Sequence, residues 1–342
     1  MLNCAIVGTG RWGRTLVESV QGKTFGAADS ALRALPSDHR TQGHGLHFVA
    51  GCTRTPDKAR EWAIMQGITL HADFDAALAD SRVQAVVLAT PHGQHAEQVI
   101  AAAAAGKHVF VEKPFTLTKA SAEAAVAACA NAGVILALGH NRRFLPAVAE
   151  MKALLAGGRL GRVLHVEGHF SGPGAAAYQA GMWRADRAES PLGGMGGMGI
   201  HMIDMIIHLA GRFRTVGVVS KALVSTTIDD TTAMLGTLES GATVGFATLA
   251  MAPRHWRVAL FGTDGILELQ GHERLSFTPR EGAAWTRNYP KTDIEAAELE
   301  AFASAVAGIA PYPLPVADAI HGVAVFEAMM GAAASGSTYS VA

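Results

Sequence analysis

The feature that most constrains the fold is a glycine-rich turn that links an apolar run to a helical pattern near the N-terminus. The turn consists of Gly8, Thr9, Gly10, Arg11, Trp12 and Gly13, between the apolar residues 4–7 and the helical residues 12–20. Gly8 permits a tight turn, Gly10 lets a pyrophosphate approach the backbone, and Gly13 lets the helix pack closely on the strand. The alternative is an ordinary turn in a chain with 38 glycines. The strand before it and the helix after it favour a dinucleotide site.

Short β-branched runs alternate with alanine-rich segments through the first 140 residues, which is typical of βαβ units on a parallel sheet. The predicted strands are residues 4–7, 47–52, 85–89, 108–112 and 134–139, and the predicted helices are residues 12–20, 56–66, 95–105 and 119–132. Gly106 and Gly133 are expected to cap the last two helices. The pattern predicts an α/β protein whose residues 1–140 form a Rossmann domain with a doubly wound parallel sheet. Residues 22–45 are too long for a βα connection and predict an insertion, with a short helix at 29–35.

The pattern changes after Pro146 to longer alternating strands. We expect strands at residues 163–170, 215–226, 233–238, 243–249, 257–262 and 266–269, and helices at 148–155, 201–209, 294–306 and 316–334. These segments predict a second, α+β domain over residues 141–342 that contains one large, mostly antiparallel sheet.

The composition indicates a globular protein with two domains, because 342 residues exceed the size of one comfortable core. The chain has 28 Lys and Arg against 29 Asp and Glu and no block of like charges, so neither nucleic acid nor membrane is an expected partner. Cys4, Cys52 and Cys129 are not at metal spacing and are expected to be buried thiols in a reducing compartment. Apolar residues 101–105 and 134–139 are too short to span a membrane. The first strand begins almost at Met1, so we expect no signal sequence and a cytoplasmic location.

The end of the second predicted strand indicates which nicotinamide cofactor binds. NAD sites commonly have an acidic residue there that binds the ribose 2′-hydroxyl. Thr53 and Arg54 instead offer a hydroxyl and a guanidinium, which suit a 2′-phosphate. We therefore expect NADP(H) rather than NAD(H), the alternative being a surface arginine.

Lys113 follows the fourth predicted strand, 108–112, at the sheet edge where open α/β folds bind ligands. An ammonium that is partly desolvated there and faces an oxidised nicotinamide has a lowered pKa and can exchange a proton near neutral pH. Hydride transfer to or from a carbonyl carbon needs such a group. The default role of a lysine after a strand is solvated charge, and Pro114 argues against that default because it stiffens the turn.

A second group of polar residues lies on the predicted helix 201–209. Residues 193–199 are too glycine-rich for a stable helix and predict a flexible entry to it. His201, Asp204 and His208 share one helix face, so Asp204 can hydrogen-bond His201 and fix its tautomer. A shared metal is disfavoured because the two histidines lie about 10 Å apart along the axis, and no metal is expected. We predict a substrate-facing His201, the alternative being a core helix with satisfied polar groups.

Several motifs together resemble the glucose-fructose oxidoreductase, inositol dehydrogenase and MocA family, written Gfo/Idh/MocA. They are the glycine turn, Thr90-Pro91-x-x-x-His95, Gly106-Lys107-His108-Val109, Glu112-Lys113-Pro114, Gly199-x-His201-x-x-Asp204 and Gly262-Thr263-Asp264-Gly265. The resemblance runs nearly from end to end. It implies a Rossmann domain with an open-faced sheet domain, nicotinamide-linked oxidation and reduction of sugars or polyols, and homodimers or homotetramers formed through that sheet. It assigns Lys113 and His201 as catalytic, and Thr90, Pro91, His95 and Glu112 to the cofactor site.

The chain departs from the family at Gly197, where related dehydrogenases often have an aspartate four residues before the histidine. Other residues expected to line the substrate cleft are Asn141, Arg142, Trp183, Arg184 and Asp204. Arg142 or Arg143 can reach an acidic substrate or the cofactor, or both can be solvated charges. Trp183 can stack on a sugar ring or pack in the core.

Three functions therefore remain open. The first is an NAD(P)-dependent oxidoreductase that uses Lys113 as general acid or base on a hydroxyl or carbonyl of a sugar-like molecule. Gly197 instead favours a dinucleotide-binding sensor or scaffold without chemistry. A third reading is a glycoside hydrolase of the same fold that uses NAD transiently.

Overall fold

The N-terminal domain is built on a sheet of parallel strands. The computed structural model describes residues 1–22 and 45–342. The strands are Leu2–Val7 (β1), Leu46–Cys52 (β2), Thr69–His71 (β3), Ala85–Leu88 (β4), His108–Val111 (β5) and Leu136–Leu138 (β6), in the order β3-β2-β1-β4-β5-β6. The strand order reverses between β1 and β4, and ligands of such sheets bind in the crevice outside the carboxyl ends of these strands. The predicted doubly wound parallel sheet is confirmed. The helix expected at residues 29–35 lies outside the described residues.

The helices of this domain begin and end at local signals in the sequence. They are Arg11–Gln21 (α1), Pro56–Gln66 (α2), Phe74–Ala79 (α3), His95–Ala104 (α4) and Lys119–Ala132 (α5). The side chain of Asp73 accepts a hydrogen bond from the backbone amide of Ala76 and caps α3. The side chain of Thr118 accepts one from the amide of Ser121 and caps α5. Gly133 ends α5 in the left-handed conformation, as predicted, whereas Ala105 caps α4 and Gly106 follows it. β3 and α3 were not predicted because both are short.

The second domain contains a nine-stranded mixed sheet. Its strands are Val163–Ser171 (β7), Phe213–Lys221 (β8), Thr231–Leu238 (β9), Thr243–Leu249 (β10), His255–Gly262 (β11), Gly265–Gln270 (β12), Arg274–Pro279 (β13), Trp285–Asn288 (β14) and Tyr339–Ser340 (β15), in the order β14-β13-β12-β11-β7-β10-β9-β8-β15. β7 and β10 pair in parallel, and the other neighbours are antiparallel. The mostly antiparallel sheet is confirmed, although the pattern missed β13, β14 and β15.

Helices that follow residue 145 join the two cores. They are Pro146–Ala156 (α6), Ile200–Ala210 (α7), Ile294–Val306 (α8) and Val316–Ser335 (α9). α8 buries Leu299 and Phe302 in the core of the parallel sheet, where the Phe302 ring lies 5.8 Å from that of Phe110. α9 contributes Val323 to one core and Phe326 to the other. The two domains therefore share helices, and this fixes the cleft between them.

Two surfaces of this domain bear on the expectations about partners. The face of the nine-stranded sheet that carries Val219 and Leu235 leaves these side chains 61% and 72% exposed. Within the described ranges, α9 is the one helix long and apolar enough by length and composition to cross a membrane. The pattern had singled out only shorter apolar runs. Because α9 packs its buried residues in both cores, we describe it as a core helix.

Candidate active site

The glycine turn forms a backbone cradle at the N-terminus of α1. Gly8 has a φ of +93°, and a Cβ there would lie 2.7 Å from the carbonyl oxygen of Ala89. A Cβ on Gly13 would lie 2.0 Å from the Gly8 carbonyl oxygen, so only glycine lets α1 approach β1 this closely. Gly10 is the N-cap and has no side-chain capping bond, and no atom of the described residues lies within 4 Å of its Cβ position. The amides at this end of α1 therefore face open space and fit a pyrophosphate.

A cleft of about 420 Å³ extends from this cradle toward α2. It is lined by Thr9, Gly10, Arg11, Arg14, Thr55, Lys58 and Ala59. Arg14 donates to the carbonyl oxygens of Thr9 and Lys58 at 3.1 and 2.8 Å. Besides Arg11, the described lining of this cleft thus includes two cations that the sequence pattern does not single out, Arg14 and Lys58. A signal for Arg14 exists, since it directly follows the last glycine of the turn.

The residues predicted from the end of β2 lie beside this cleft. Thr53 is partly buried and Arg54 is exposed, directly before Thr55 in the lining. No acidic residue lies between Gly51 and Pro56. The wall next to the predicted ribose site is therefore neutral or cationic, and the role of Arg54 stays a prediction.

Residues after β4 and β5 are tied together through His95. Its ring is fully buried, with Nδ1 2.9 Å from the carbonyl oxygen of Pro114 and Nε2 3.0 Å from that of Thr90. Burial lowers the pKa of His95, so a neutral ring donates to one of these carbonyls. The predicted cofactor contact is thus unsupported for His95, because both ring nitrogens face protein backbone. The ring instead holds the loops that carry Thr90, Pro91 and Pro114 at the crevice.

Lys113 lies at the carboxyl end of β5 and reaches the second domain. Its peptide bond to Pro114 is cis, and its Nζ donates to the carbonyl oxygen of Gly197 at 2.9 Å. Desolvation lowers the pKa of Lys113 to about 8; the negative charge of Glu112 opposes this shift, and the charge of Arg142 adds to it. The sequence predicted an amine with this property at this position.

Glu112 lies beneath the lysine and not in the open cleft. It is 4% exposed, and its Oε2 accepts the backbone amide of Lys113 at 3.3 Å. Burial raises the pKa of Glu112, and the charge of Lys113 opposes the increase. Among the described residues, Oε1 of Glu112 and Nε1 of Trp12 are buried without a hydrogen-bond partner. Glu112 therefore lies next to Lys113, and its charge favours the ammonium form of the lysine.

His201 lies on α7 next to Arg142. The ring is 3% exposed, and Nη1 of Arg142 lies 2.9 Å from Nε2 of His201 and donates to Oδ1 of Asn141 at 2.7 Å. Burial, together with the charges of Arg142 and Lys113, holds the pKa of His201 well below its ordinary value. His201 is therefore a neutral ring whose Nε2 accepts from the guanidinium.

The predicted hydrogen bond from Asp204 to His201 is wrong. The carboxylate of Asp204 accepts hydrogen bonds from Nε and Nη2 of Arg143, the latter at 2.8 Å. The hydrogen bond to His201 comes from Arg142 instead. Nη2 of Arg143 also donates to Asp318 on α9 at 3.3 Å. Asp204 thus holds α7 at the domain junction and is 4% exposed. It does not line the substrate cleft, where the sequence analysis placed it.

The predicted flexible entry to α7 is also wrong. Met195–Gly199 form a π-helical turn that continues into α7. A Cβ on Gly199 would lie 1.9 Å from Sδ of Met195, and one on Gly194 would lie 2.8 Å from Cε of Met198. Methionine packing against bare backbone compensates for the poor helix propensity of glycine. The turn directs the Gly197 carbonyl to Lys113.

Trp183 and Arg184 lie in a short 3-10 turn, Trp183–Ala185, beside the same cleft. The Arg184 guanidinium lies 4.1 Å from the Trp183 ring centroid, and the ring of His92 lies 5.0 Å from it. Trp183 is therefore already in contact on two sides. The positive charge of Arg184 contributes to the lowered pKa of Lys113.

Two glutamates of α8 were not predicted as part of the site. Glu295 Oε1 accepts from Nδ2 of Asn141 at 2.9 Å. Glu298 is fully buried, and both its carboxyl oxygens lack hydrogen-bond partners within the described part of the chain. Burial raises the pKa of Glu298 well above its ordinary value. Their only signal in the sequence is an acidic pair on an otherwise apolar helix face.

A Rossmann domain with a pyrophosphate cradle, joined to a sheet domain that completes a cleft around a lysine, defines a class of nicotinamide-dependent oxidoreductases. Two models of one family match the chain: the oxidoreductase family with an NAD-binding Rossmann fold over residues 2–140, and the GFO/IDH/MocA C-terminal domain over residues 148–268. The chain belongs to the Gfo/Idh/MocA family of oxidoreductases.

Named relatives include levoglucosan dehydrogenase of Pseudarthrobacter phenanthrenivorans, 33% identical over 43% of this chain and 38% of that protein. D-apiose dehydrogenase of Paraburkholderia graminis is 31% identical over 70% of this chain and 64% of that protein. The chain thus matches less than two thirds of either relative. A solved structure of levoglucosan dehydrogenase with NADH and levoglucosan superimposes with a TM-score of 0.83 at 23% identity, covering 99% of both chains, and shows the same fold.

Proposed function

We propose that this protein is an NAD(P)-dependent dehydrogenase that acts on a hydroxyl or carbonyl group of a sugar-like or polyol molecule. The observation that carries the proposal is the position of Lys113. Its ammonium lies at the carboxyl end of β5 and donates to Gly197 at 2.9 Å across the cleft. The names of its relatives, which include levoglucosan and D-apiose dehydrogenases, support a carbohydrate substrate.

Bound NAD(P)⁺ supplies the acceptor for the hydride that leaves the substrate carbon. Lys113, as a neutral amine, takes the proton of the substrate hydroxyl as the carbonyl forms, and the ammonium returns it in the reverse direction. His201 is neutral and lies beside Arg142, where its ring positions the substrate oxygen. The buried Glu112 supports the ammonium form of Lys113 through its charge.

The proposal includes NADP(H) as the preferred cofactor. The guanidinium of Arg54 follows β2, and the cleft beside it contains Arg11, Arg14 and Lys58. A 2′-phosphate adds about two negative charges to the ribose, and arginine binds such groups with two parallel hydrogen bonds. The described lining of this cleft is cationic and contains no carboxylate, which favours NADP(H) over NAD(H).

The proposal also includes a homodimer or homotetramer formed through the nine-stranded sheet, in the cytoplasm. The exposed Val219 and Leu235 on the open face of that sheet support an apolar interface. The free, buried Cys4, Cys52 and Cys129 support a reducing compartment.

The test is a screen of sugars, polyols and their keto forms at fixed enzyme concentration, following the absorbance of NADPH and NADH in parallel. We expect turnover with at least one substrate and faster turnover with the phosphorylated cofactor. Lys113→Met should lower kcat by about 10²- to 10⁴-fold with cofactor affinity nearly unchanged. Lys291→Met, at an exposed lysine before α8, is the matched control and should retain full activity.

Gly197 favours one alternative, a dinucleotide-binding sensor without chemistry, because the family's aspartate is missing there. A sensor would bind NADP(H) and oxidise or reduce nothing in the screen. A hydrolase that uses NAD transiently would release sugar with no net change in nicotinamide absorbance. Either result would replace the dehydrogenase proposal.

A further inference from the structure

Three cations lie at the cleft, Lys113, Arg142 and Arg184, and no carboxylate of the described residues is bound to any of them. Lys113 donates to a backbone carbonyl, Arg142 contacts Asn141 and His201, and Arg184 lies over Trp183. Within residues 1–22 and 45–342, none of the three cations forms an ion pair within 4.0 Å. These three cations therefore have no direct counter-charge among the described residues.

The acids that act on these cations are buried behind them. Glu112 and Glu298 are 4% and 0% exposed, and Glu295 is bound to Asn141. Burial raises the pKa of all three carboxyls, which weakens their ability to neutralise the cations. An anion in the open cleft would neutralise the cations more effectively than these buried carboxyls do, because it would contact the cations directly.

Arg142 has a hydrogen-bond donor for which the described residues supply no acceptor. Its Nε is buried with no partner among the described residues. Its guanidinium lies 5.4 Å from the ring centroid of Phe170, a residue of β7, and beside His201 of α7. Desolvation lowers the pKa of Arg142, so the protein holds this charge in an unfavourable place. A planar guanidinium with free donors is suited to binding a carboxylate through two hydrogen bonds.

Gly197 leaves room on the opposite wall. A Cβ at Gly197 would have no atom of the described residues within 4 Å, and the Gly197 carbonyl accepts from Lys113. The position at which related dehydrogenases often have a carboxylate is thus unfilled by the described residues and lies beside an ammonium. A negative group on the substrate can occupy it without meeting a negative side chain.

We propose that the substrate is a sugar acid, an aldonate or uronate, whose carboxylate binds Arg142 beside the space left by Gly197. The inference rests on the proposed function and names its substrate class. The carboxylate takes Arg142 away from His201, whose Nε2 then binds a substrate hydroxyl. A different carbon is oxidised: its C–H hydrogen leaves as hydride to NAD(P)⁺, its O–H proton goes to Lys113, and a C=O bond forms. The carboxylate itself is unchanged.

A cofactor phosphate is the other anion that could meet this guanidinium. The phosphate cradle lies at the N-terminus of α1, whereas the aromatic neighbours of Arg142 are Phe170 and His201 of the second domain. We therefore assign Arg142 to the substrate. The experiment distinguishes the two sources.

The experiment measures binding of matched pairs to the full chain saturated with NADP⁺, by calorimetry: D-galacturonate against D-galactose, and D-gluconate against D-glucitol. We expect at least one acid to bind at least about tenfold more tightly than its neutral partner. Arg142→Met should remove that preference, so that the acid and its neutral partner bind with affinities within about threefold of each other, and should leave binding of NADP⁺ within about threefold of the wild type. Arg142→Lys keeps the charge but loses the planar guanidinium that donates two parallel hydrogen bonds. Its preference for the acid should therefore lie between that of the wild type and that of Arg142→Met. Arg162→Met, an exposed arginine before β7, is the matched control.

Gly197→Asp supplies an independent arm, because a carboxylate there should weaken acid binding about tenfold through like-charge repulsion and leave the neutral sugar nearly unaffected. Equal binding of acids and neutral sugars, or unchanged acid binding in Arg142→Met with the folded-state circular dichroism of the wild type, would overturn the inference. Loss of NADP⁺ binding in place of acid binding would also overturn it. If acids bind through Arg142 but no compound changes nicotinamide absorbance, the dehydrogenase proposal fails and the acid site stands.

Discussion

The contact between Arg143 and Asp204 predicts a large loss of stability when one partner is removed. The two side chains are 2% and 5% exposed, and Nη2 of Arg143 lies 2.8 Å from Oδ1 of Asp204. Breaking a buried pair in this way costs about 3–5 kcal/mol, because the remaining charge is uncompensated. For domains of this size, that corresponds to a decrease in Tm of roughly 6–20 °C. Asp204→Asn should lose less unfolding free energy than Arg143→Met, because Arg143 in that variant still donates to Asp318 at 3.3 Å.

Thermal unfolding of the two single variants and of the double variant, followed by calorimetry, measures this contact. We expect the double variant to lose clearly less unfolding free energy than the two single variants lose in sum. The reason is that neither member of the Arg143 and Asp204 pair is left as a lone buried charge. Activity measured well below Tm should keep the pH dependence of the wild type. If Asp204→Asn leaves Tm within about 1 °C but shifts the pH profile, Asp204 acts on His201 and the account of the junction is refuted.

Three further predictions concern the cofactor and the sheet. Gly13→Ala should abolish binding of either cofactor, measured by fluorescence titration, because its Cβ would lie 2.0 Å from the Gly8 carbonyl oxygen; unchanged affinity would remove the turn from the site. Arg54→Ala should weaken NADPH about tenfold and leave NADH unchanged, and equal losses would contradict a 2′-phosphate contact. Leu235→Glu, at a side chain 72% exposed, should shift the molecular mass in light scattering toward the monomer, whereas an unaltered oligomer would place the interface elsewhere.

The fold was largely predictable because its signals are local. Alternating apolar runs, the proline at the start of α2 and the glycine at the end of α5 each fix an element through a few neighbouring residues. β3, with three residues, is too short for a periodic pattern. That α8 covers the parallel sheet through Phe302 depends on contacts between distant parts of the chain.

The site was predictable where a motif fixes the backbone and unpredictable where side chains choose partners. Lys113 follows a strand, so its place at the sheet edge could be inferred. The helical spacing of His201 and Asp204 suggested a bond, but a neighbouring arginine competes for each of them, Arg142 for His201 and Arg143 for Asp204. Spacing along one helix cannot reveal donors that come from another element.

The most direct test of the central claim is the pH dependence of kcat/KM for oxidation of the substrate that the screen selects, in the wild type and in Lys113→Met. Because Lys113 has a pKa of about 8 and acts as a neutral amine, the wild-type rate should rise with pH and level off above that value, while the reduction rate falls over the same window. Lys113→Met should be about 10²- to 10⁴-fold slower and lack this titration. The same titration in Lys113→Met, at wild-type rate, would contradict the account.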